Sequence, residues 1–311
     1  MLHALALASL LCLAPAQEKS KVLIVDGQNN HNYKAMTPFM KEQLEKSGLF
    51  TVDVSTTPPA VPQAPKGKPE TPEQAAEREE KAAKIKAQWD QWRPKFKDYK
   101  VVLSNYNGEA WPADVNAAFE EYVNGGGGVY VVHAANNAFS GWTEYDLMIG
   151  LGWRGSKYGA RVFYDEAGKL QRSEPGDGPG AGHGAQHEYK ITLRDPEHPL
   201  VKGMPPVWMH ATDELYHGQR GPAKSMLILA SAYDDKSKGG TGVHEPMLWV
   251  IPYGHGKVVT NVMGHENGKS VQCVGFVTLM LRSCEWLATG KVTVPIPPNF
   301  PTEDKASVLG K

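Results

Sequence analysis

Cysteine is scarce in this 311-residue chain, which holds only Cys12, Cys273 and Cys284. So few thiols exclude a disulfide framework and a C-x-x-C zinc site. The H-E-x-x-H pattern of helical zinc enzymes is missing too. So is the glycine-rich dinucleotide fingerprint. Gly27 lacks the following glycines, and the run at 125–128 precedes its strand instead of following it. No nucleotide cofactor is expected. Neither sign of charge dominates: 33 Lys and Arg face 34 Asp and Glu, for a net charge of −1. Nothing in that balance recommends nucleic acid as a partner. No stretch after residue 16 is long and apolar enough for a membrane span.

A hydrophobic content of 41% is enough to build a core. The first 16 residues read as a secretory signal peptide. Residues 5–13 are its apolar centre, and Ala14-Pro15-Ala16 is the cleavage site. This predicts a periplasmic or secreted protein. Lipidation at Cys12 is the lesser alternative, because the residue before the cysteine, Leu11, is not small. Cys273 and Cys284 fall in one predicted helix over 271–287. Eleven residues separate them, about 16 Å along the axis. Two free, buried thiols are expected.

Apolar runs and breakers predict the elements. Strands are expected at 21–26, 50–55, 101–104 and 128–132, with helices at 36–47 and 112–124 between them. This alternation predicts an α/β fold around a mostly parallel sheet, with helices on both faces. The second half is less regular. Hairpins are expected around 161–170 and 247–262, with strands at 188–194 and 226–231 and a long Gly/Pro-rich loop at 173–186. Residues 57–96 form a charged insertion whose helix starts at Thr71-Pro72. One domain over 20–290 and a proline-bearing tail at 291–311 complete the expected organisation.

Histidines mark the candidate site. His31, His133 and His265 each follow an apolar strand pattern where the chain leaves the strand. Ligands bind at that edge of open α/β sheets. His133 follows GGGGVYVV and stands where amidotransferases and α/β hydrolases present a Cys or Ser at a strand-to-helix elbow. Residues 210–217, HATDELYH, form the densest polar cluster, supplying either an acid/base pair or metal ligands. His133 is assigned as the main acid/base and Glu214 as its partner. Asp26, His31, Asn105, Asn136, Asp213, Tyr216 and His265 are assigned to substrate binding. His31, His133, Glu214 and His265 are the candidates for a divalent metal. His183, His187, His244 and His255 read as solvent-exposed loop histidines. Trp142, Trp153, Trp208 and Tyr216 are the available platforms for stacking on a sugar face.

Four segments together resemble the ThuA-like (trehalose utilisation) family. They are VLIVDGQNNHNY at 22–33, GGGGVYVVHAANNAF at 125–139, DELY at 213–216 and EPMLWVIPYGHGKVVTNVMGH at 245–265. The resemblance implies a flavodoxin-like, class I glutamine amidotransferase-like fold in which His133 occupies the place of the lost Cys nucleophile. It also implies a role in breaking down trehalose and related disaccharides, in step with dehydrogenases that make 3-keto sugars. The charged insertion departs from the family pattern, as does His255-Gly256-Lys257, where the family more often has Gly-Lys-Gly-Arg. The resulting expectation is an exported enzyme that isomerises, eliminates or hydrolyses a saccharide or keto-sugar. The alternative is a non-catalytic carbohydrate-binding protein with an enzyme-like cleft.

Overall fold

The computed structural model describes residues 18–266 and 268–310. The predicted leader and Cys12 lie outside them. Strand β1 (Ser20–Asp26) is buried from Val22 onward on both faces, as its unbroken apolar run requires of a central parallel strand. Helix α1 (Tyr33–Lys46) and strand β2 (Phe50–Thr56) follow. Helix α2 (Pro72–Gln91) begins at a capping box, with Thr71 accepting from the Gln74 amide and Gln74 reaching back. The outer face of α2 is charged, while Ala82, Ile85 and Trp89 pack inward. Then come β3 (Val101–Ser104), α3 (Ala113–Asn124), β4 (Gly128–Val132) and the short α4 (Thr143–Ile149).

The second half adds β5 (Arg161–Tyr164), β6 (Leu170–Ser173), β7 (Gly182–His183), β8 (His187–Leu193), β9 (Val207–Asp213) and β10 (Tyr216–His217). The long β11 (Leu227–Tyr233), β12 (His244–Tyr253) and β13 (Gly256–Asn261) precede α5 (Lys269–Gln272) and α6 (Val274–Thr289). The main sheet runs β2-β1-β3-β4-β13-β12-β11-β8-β9. Its first five strands are parallel, in the flavodoxin order, and β12, β11, β8 and β9 continue it antiparallel. The expected α/β class with added hairpins is therefore the observed one.

Alternate residues of the parallel strands feed two cores. Val22, Ile24, Leu103 and Val132 pack with Met36, Met40 and Leu44 of α1 and with α6. Leu23, Val25, Val102 and Val131 face the other way, onto Ile85, Trp89, Phe119 and Val123.

Three local expectations need correction. The predicted 271–287 helix is two helices, broken at Cys273, whose ψ of 127° is extended. Both cysteines are nonetheless free and buried. Residues 207–213, given no element from the sequence, form a strand with a buried end. Trp208 has 0% exposure and is no sugar platform. It packs on Phe300 from the final segment and on the first turn of α6. That segment is anchored by hydrogen bonds from Met209 N to Thr302 O at 2.8 Å and from Val274 N to Ser307 O at 2.8 Å.

A Cβ on Gly275 would lie 2.3 Å from the Trp208 ring. Gly275→Leu should therefore cost about 1–3 kcal/mol through overpacking, read as a lower urea midpoint at unchanged slope.

Candidate functional site

The loop after β1 carries His31. Gly27 opens it at φ +126°, where a Cβ would meet Thr57 Oγ1 at 2.2 Å, so only glycine fits. The loop is stitched to the one after β3. Asn29 Nδ2 donates to the Asn105 backbone O at 3.2 Å, and Asn29 Oδ1 accepts the His31 amide at 2.9 Å. Asn105 in turn donates to Thr37 Oγ1 at 3.2 Å. Asp26 accepts from Thr56 Oγ1 at 2.7 Å, and burial raises its pKa. Asn136 pairs with Gln219. The side chains of Asp26, Asn105 and Asn136 are thus engaged within the protein, holding the loops around the cluster.

His133 stands at the end of β4 with φ 42°, a left-handed conformation that is uncommon outside glycine. It starts the short 3-10 turn His133–Asn137 and is fully buried. Its Nδ1 lies 2.6 Å from the Val262 carbonyl oxygen. A carbonyl only accepts, so Nδ1 carries a proton, and in the neutral form of the ring Nε2 is the lone-pair site. That Nε2 has no hydrogen-bond partner and lies 3.6 Å from Glu214 Oε2.

Three imidazoles meet here. The His31 ring centroid is 5.0 Å from that of His133 and 4.4 Å from that of His265, and His133 and His265 are 5.4 Å apart. His265 Nε2 lies 3.1 Å from Glu214 Oε1. Tyr216 backs the His133 ring at 4.1 Å between centroids and is itself buried.

Asp213, one residue before Glu214, is buried beneath the cluster and does not face outward. Its Oδ2 accepts from His210 Nε2 at 2.8 Å and from the Gly264 amide at 2.8 Å. Its Oδ1 accepts from the amides of Glu214 at 2.9 Å and His265 at 3.1 Å. Gly264, at φ +92°, permits this turn against the Phe276 ring. One carboxylate therefore sets the backbone of both Glu214 and His265.

Charge follows from this packing. Burial pushes the Glu214 carboxyl up, but the His133 and His265 imidazoles pull it well below the usual carboxylate range, so it is ionised. Burial lowers His265, and the Glu214 carboxylate more than restores it, for a net rise. His31 is lowered to about 4, first by burial and then by the two neighbouring imidazoles, so it is neutral at pH 7. Deeper down, burial works against the His210 imidazolium, but the Cys273 sulfur and the Asp213 carboxylate hold its pKa up, at about 10. Burial opposes the Asp213 charge as well, and His210 outweighs it, leaving that carboxyl lowered.

Sequence reasoning missed His183. It belongs to a two-residue ribbon in which Tyr216 pairs with His183, and its Nε2 lies 3.5 Å from Glu214 Oε1. Its side chain is 37% exposed, so the cluster opens to solvent on this side. The Gly/Pro-rich loop that carries it is pinned by buried Arg220, which donates to the carbonyls of Glu174, Asp177 and Pro179. Nothing local in the sequence pairs Arg220 with that loop. His187 and His244 lie outside the cluster; His187 Nδ1 is 2.7 Å from the Ala185 carbonyl oxygen, and His244 meets the Tyr233 ring edge-on.

The family described as ThuA, trehalose utilisation, matches residues 21–287. This chain belongs to the ThuA family. A ThuA-like protein from Parabacteroides merdae has 39% sequence identity and a TM-score of 0.81, with 94% of this chain and 98% of that one covered. A ThuA-like protein from Bacteroides uniformis, at 17% identity and a TM-score of 0.55, shares the fold over 90% of this chain and 97% of its own. No curated protein sequence matches this ThuA-family chain.

Removing the Asp213 carboxylate leaves three backbone amides and a buried imidazolium without their acceptor. Asp213→Ala should lose about 3–5 kcal/mol of unfolding free energy. The pair also sets a pH window. The raised His210 contributes stability that is complete below its ordinary value of 6.5 and is lost as pH rises through about 10. The depressed Asp213 contributes above its ordinary 3.8, and that contribution is lost as pH falls below it. Urea midpoints should decline from pH 7 to 10 in the native protein, and markedly less in His210→Gln.

Proposed function

We propose that this ThuA-family protein is a sugar-processing enzyme that works by acid/base chemistry on a saccharide or its keto derivative. His133 and Glu214 form the centre of the site, His31 and His265 flank the substrate, and Tyr216 backs the His133 ring. The observation that carries this reading is the orphaned Nε2 of His133, buried at a strained strand end and aimed at an ionised carboxylate 3.6 Å away. Strain at such a position is costly and persists where the surroundings over-determine it, most often at functional sites.

The composition of the cluster supports a neutral substrate. Imidazoles and carboxylates are the groups that most shift Glu214, His31 and His265, with no lysine or arginine among them. A phosphate group would find no cationic clamp among these groups. A polyol or carbonyl compound suits alternating imidazole donors and acceptors. A base beside a carbonyl removes the proton on the adjacent carbon, and the electron pair passes into an enediolate stabilised by a neighbouring imidazole. Returning the proton to the other carbon isomerises the sugar, and expelling a substituent eliminates it. Hydrolysis uses the same groups on a water molecule. The family's description, trehalose utilisation, points to a disaccharide.

A purely carbohydrate-binding role is left with one aromatic platform beside the cluster among the described residues. Trp208 and Tyr216 are buried, and Trp142 is enclosed among Trp111, Phe139 and Tyr145. Trp153, 4.6 Å from Tyr216 and 5.9 Å from His183, is the one candidate platform beside the cluster among the described residues. Export of the protein is a further part of this proposal and rests on the leader pattern at residues 1–16.

Incubation of the purified protein with trehalose and with 3-keto disaccharides, followed by product chromatography, tests the reading. His133→Ala and Glu214→Gln should each lower turnover by about 10²–10⁴-fold. Turnover unchanged in both variants would remove the assignment.

A further inference from the structure

The unpartnered His133 Nε2 faces both the Glu214 carboxylate and the His31 imidazole. The His133 lone pair is held in place by the Nδ1 hydrogen bond to Val262. Metal-binding histidines are oriented in this way, donating the far ring nitrogen to a backbone carbonyl. The potential donor atoms of His31, His133 and Glu214 all lie within 4.8 Å of one another. Metal–donor bonds of about 2.0–2.2 Å place neighbouring donors about 3–4 Å apart, so a contraction of about an ångström closes the set. The supporting contacts extend to the carboxylate. Glu214 Oε2 faces His133, whereas Oε1 faces His265 at 3.1 Å and His183 at 3.5 Å. One oxygen is thus directed at the donor set and the other is held from behind.

We propose that His31, His133 and Glu214 form a binding site for a divalent first-row transition-metal ion, with His265 and the Val262 carbonyl orienting the ligands. Two imidazoles and one carboxylate suit zinc, iron(II), manganese or cobalt, and they leave coordination positions free. Those positions lie on the side that opens to solvent past His31 and His183. There a neutral sugar presents adjacent hydroxyl and carbonyl oxygens, hard donors that a Lewis-acidic ion polarises. The sugar part of this statement rests on the proposed function, and the ion site does not. The ion gives His133 and Glu214 a defined task, holding the group that polarises the substrate oxygen. His265 and His183 remain beside it to exchange protons.

The full-length protein, freed of metal by a chelator and dialysed, is titrated with cobalt(II) and then with zinc(II). Calorimetry and visible absorption are the readouts. Wild type should take up one ion per chain and develop cobalt ligand-field bands that zinc removes. His31→Ala removes a half-buried ligand and Glu214→Gln alters a buried one, and urea unfolding verifies that each remains folded. Each should weaken uptake at least about 100-fold. Absence of saturable uptake by wild type, or equal uptake by both folded variants, overturns the site. Uptake without sugar turnover sinks the proposed reaction and leaves the ion site standing. Undiminished turnover in chelator with no uptake does the reverse.

Discussion

The Asp213 carboxylate is the constraint on which the rest of the site depends. In the sheet order, β9 is separated from β13 by β12, β11 and β8. Yet Asp213 at the end of β9 accepts the amides of Gly264 and His265 just beyond β13. The sheet must curl back on itself to allow this, which its cumulative strand twist provides. A buried carboxylate is tolerated only when its acceptor sites are filled. Here two backbone amides from one strand end, one from the other and a charged imidazole fill them. The knot brings Glu214 under His133 and His265, so a requirement of burial becomes a rule of site geometry.

The other half of the site comes from the parallel strands. The order β2-β1-β3-β4-β13 sends His31, His133 and His265 out of the same edge, where the connections leave the sheet. His133 occupies the strained elbow that related folds give to a nucleophile. An imidazole there cannot form the covalent intermediate of a thiol amidotransferase. It can hold or move a proton, or hold an ion, and its Nδ1 contact with Val262 leaves Nε2 turned toward Glu214. Preorganisation of this kind limits the reorganisation needed when charge develops on a substrate.

Much of this was legible in the residues. Strands β1, β3 and β4 declare themselves because both of their faces are buried, so apolar runs such as VLIV and VYVV have no competing explanation. Helix α2 declares its start through Thr71, Pro72 and Gln74. Strand β9 was obscured because its sequence, VWMHATD, places His210 and Asp213 in the interior, against the usual exposure of such residues. The break at Cys273 was hidden for a different reason. The Val274 amide there bonds to Ser307, far along the chain, instead of continuing a helix. Propensity describes only a residue's neighbours in sequence, and each of these outcomes was decided by a distant partner.

The chain's own pattern determined the α/β class, the parallel core and the appearance of imidazoles at strand ends, because burial on two faces and exit at a turn are local properties. It also marked Glu214 within a polar cluster. Only the tertiary structure decided that Asp213 lies beneath that cluster and does not face a ligand, that Trp208 is core, and that His183 reaches Glu214 across a loop pinned by Arg220. The physical reason is the same throughout. A charge, a ring or a lone pair acquires its role from what neutralises, covers or faces it, and in this protein many of those partners lie tens of residues away.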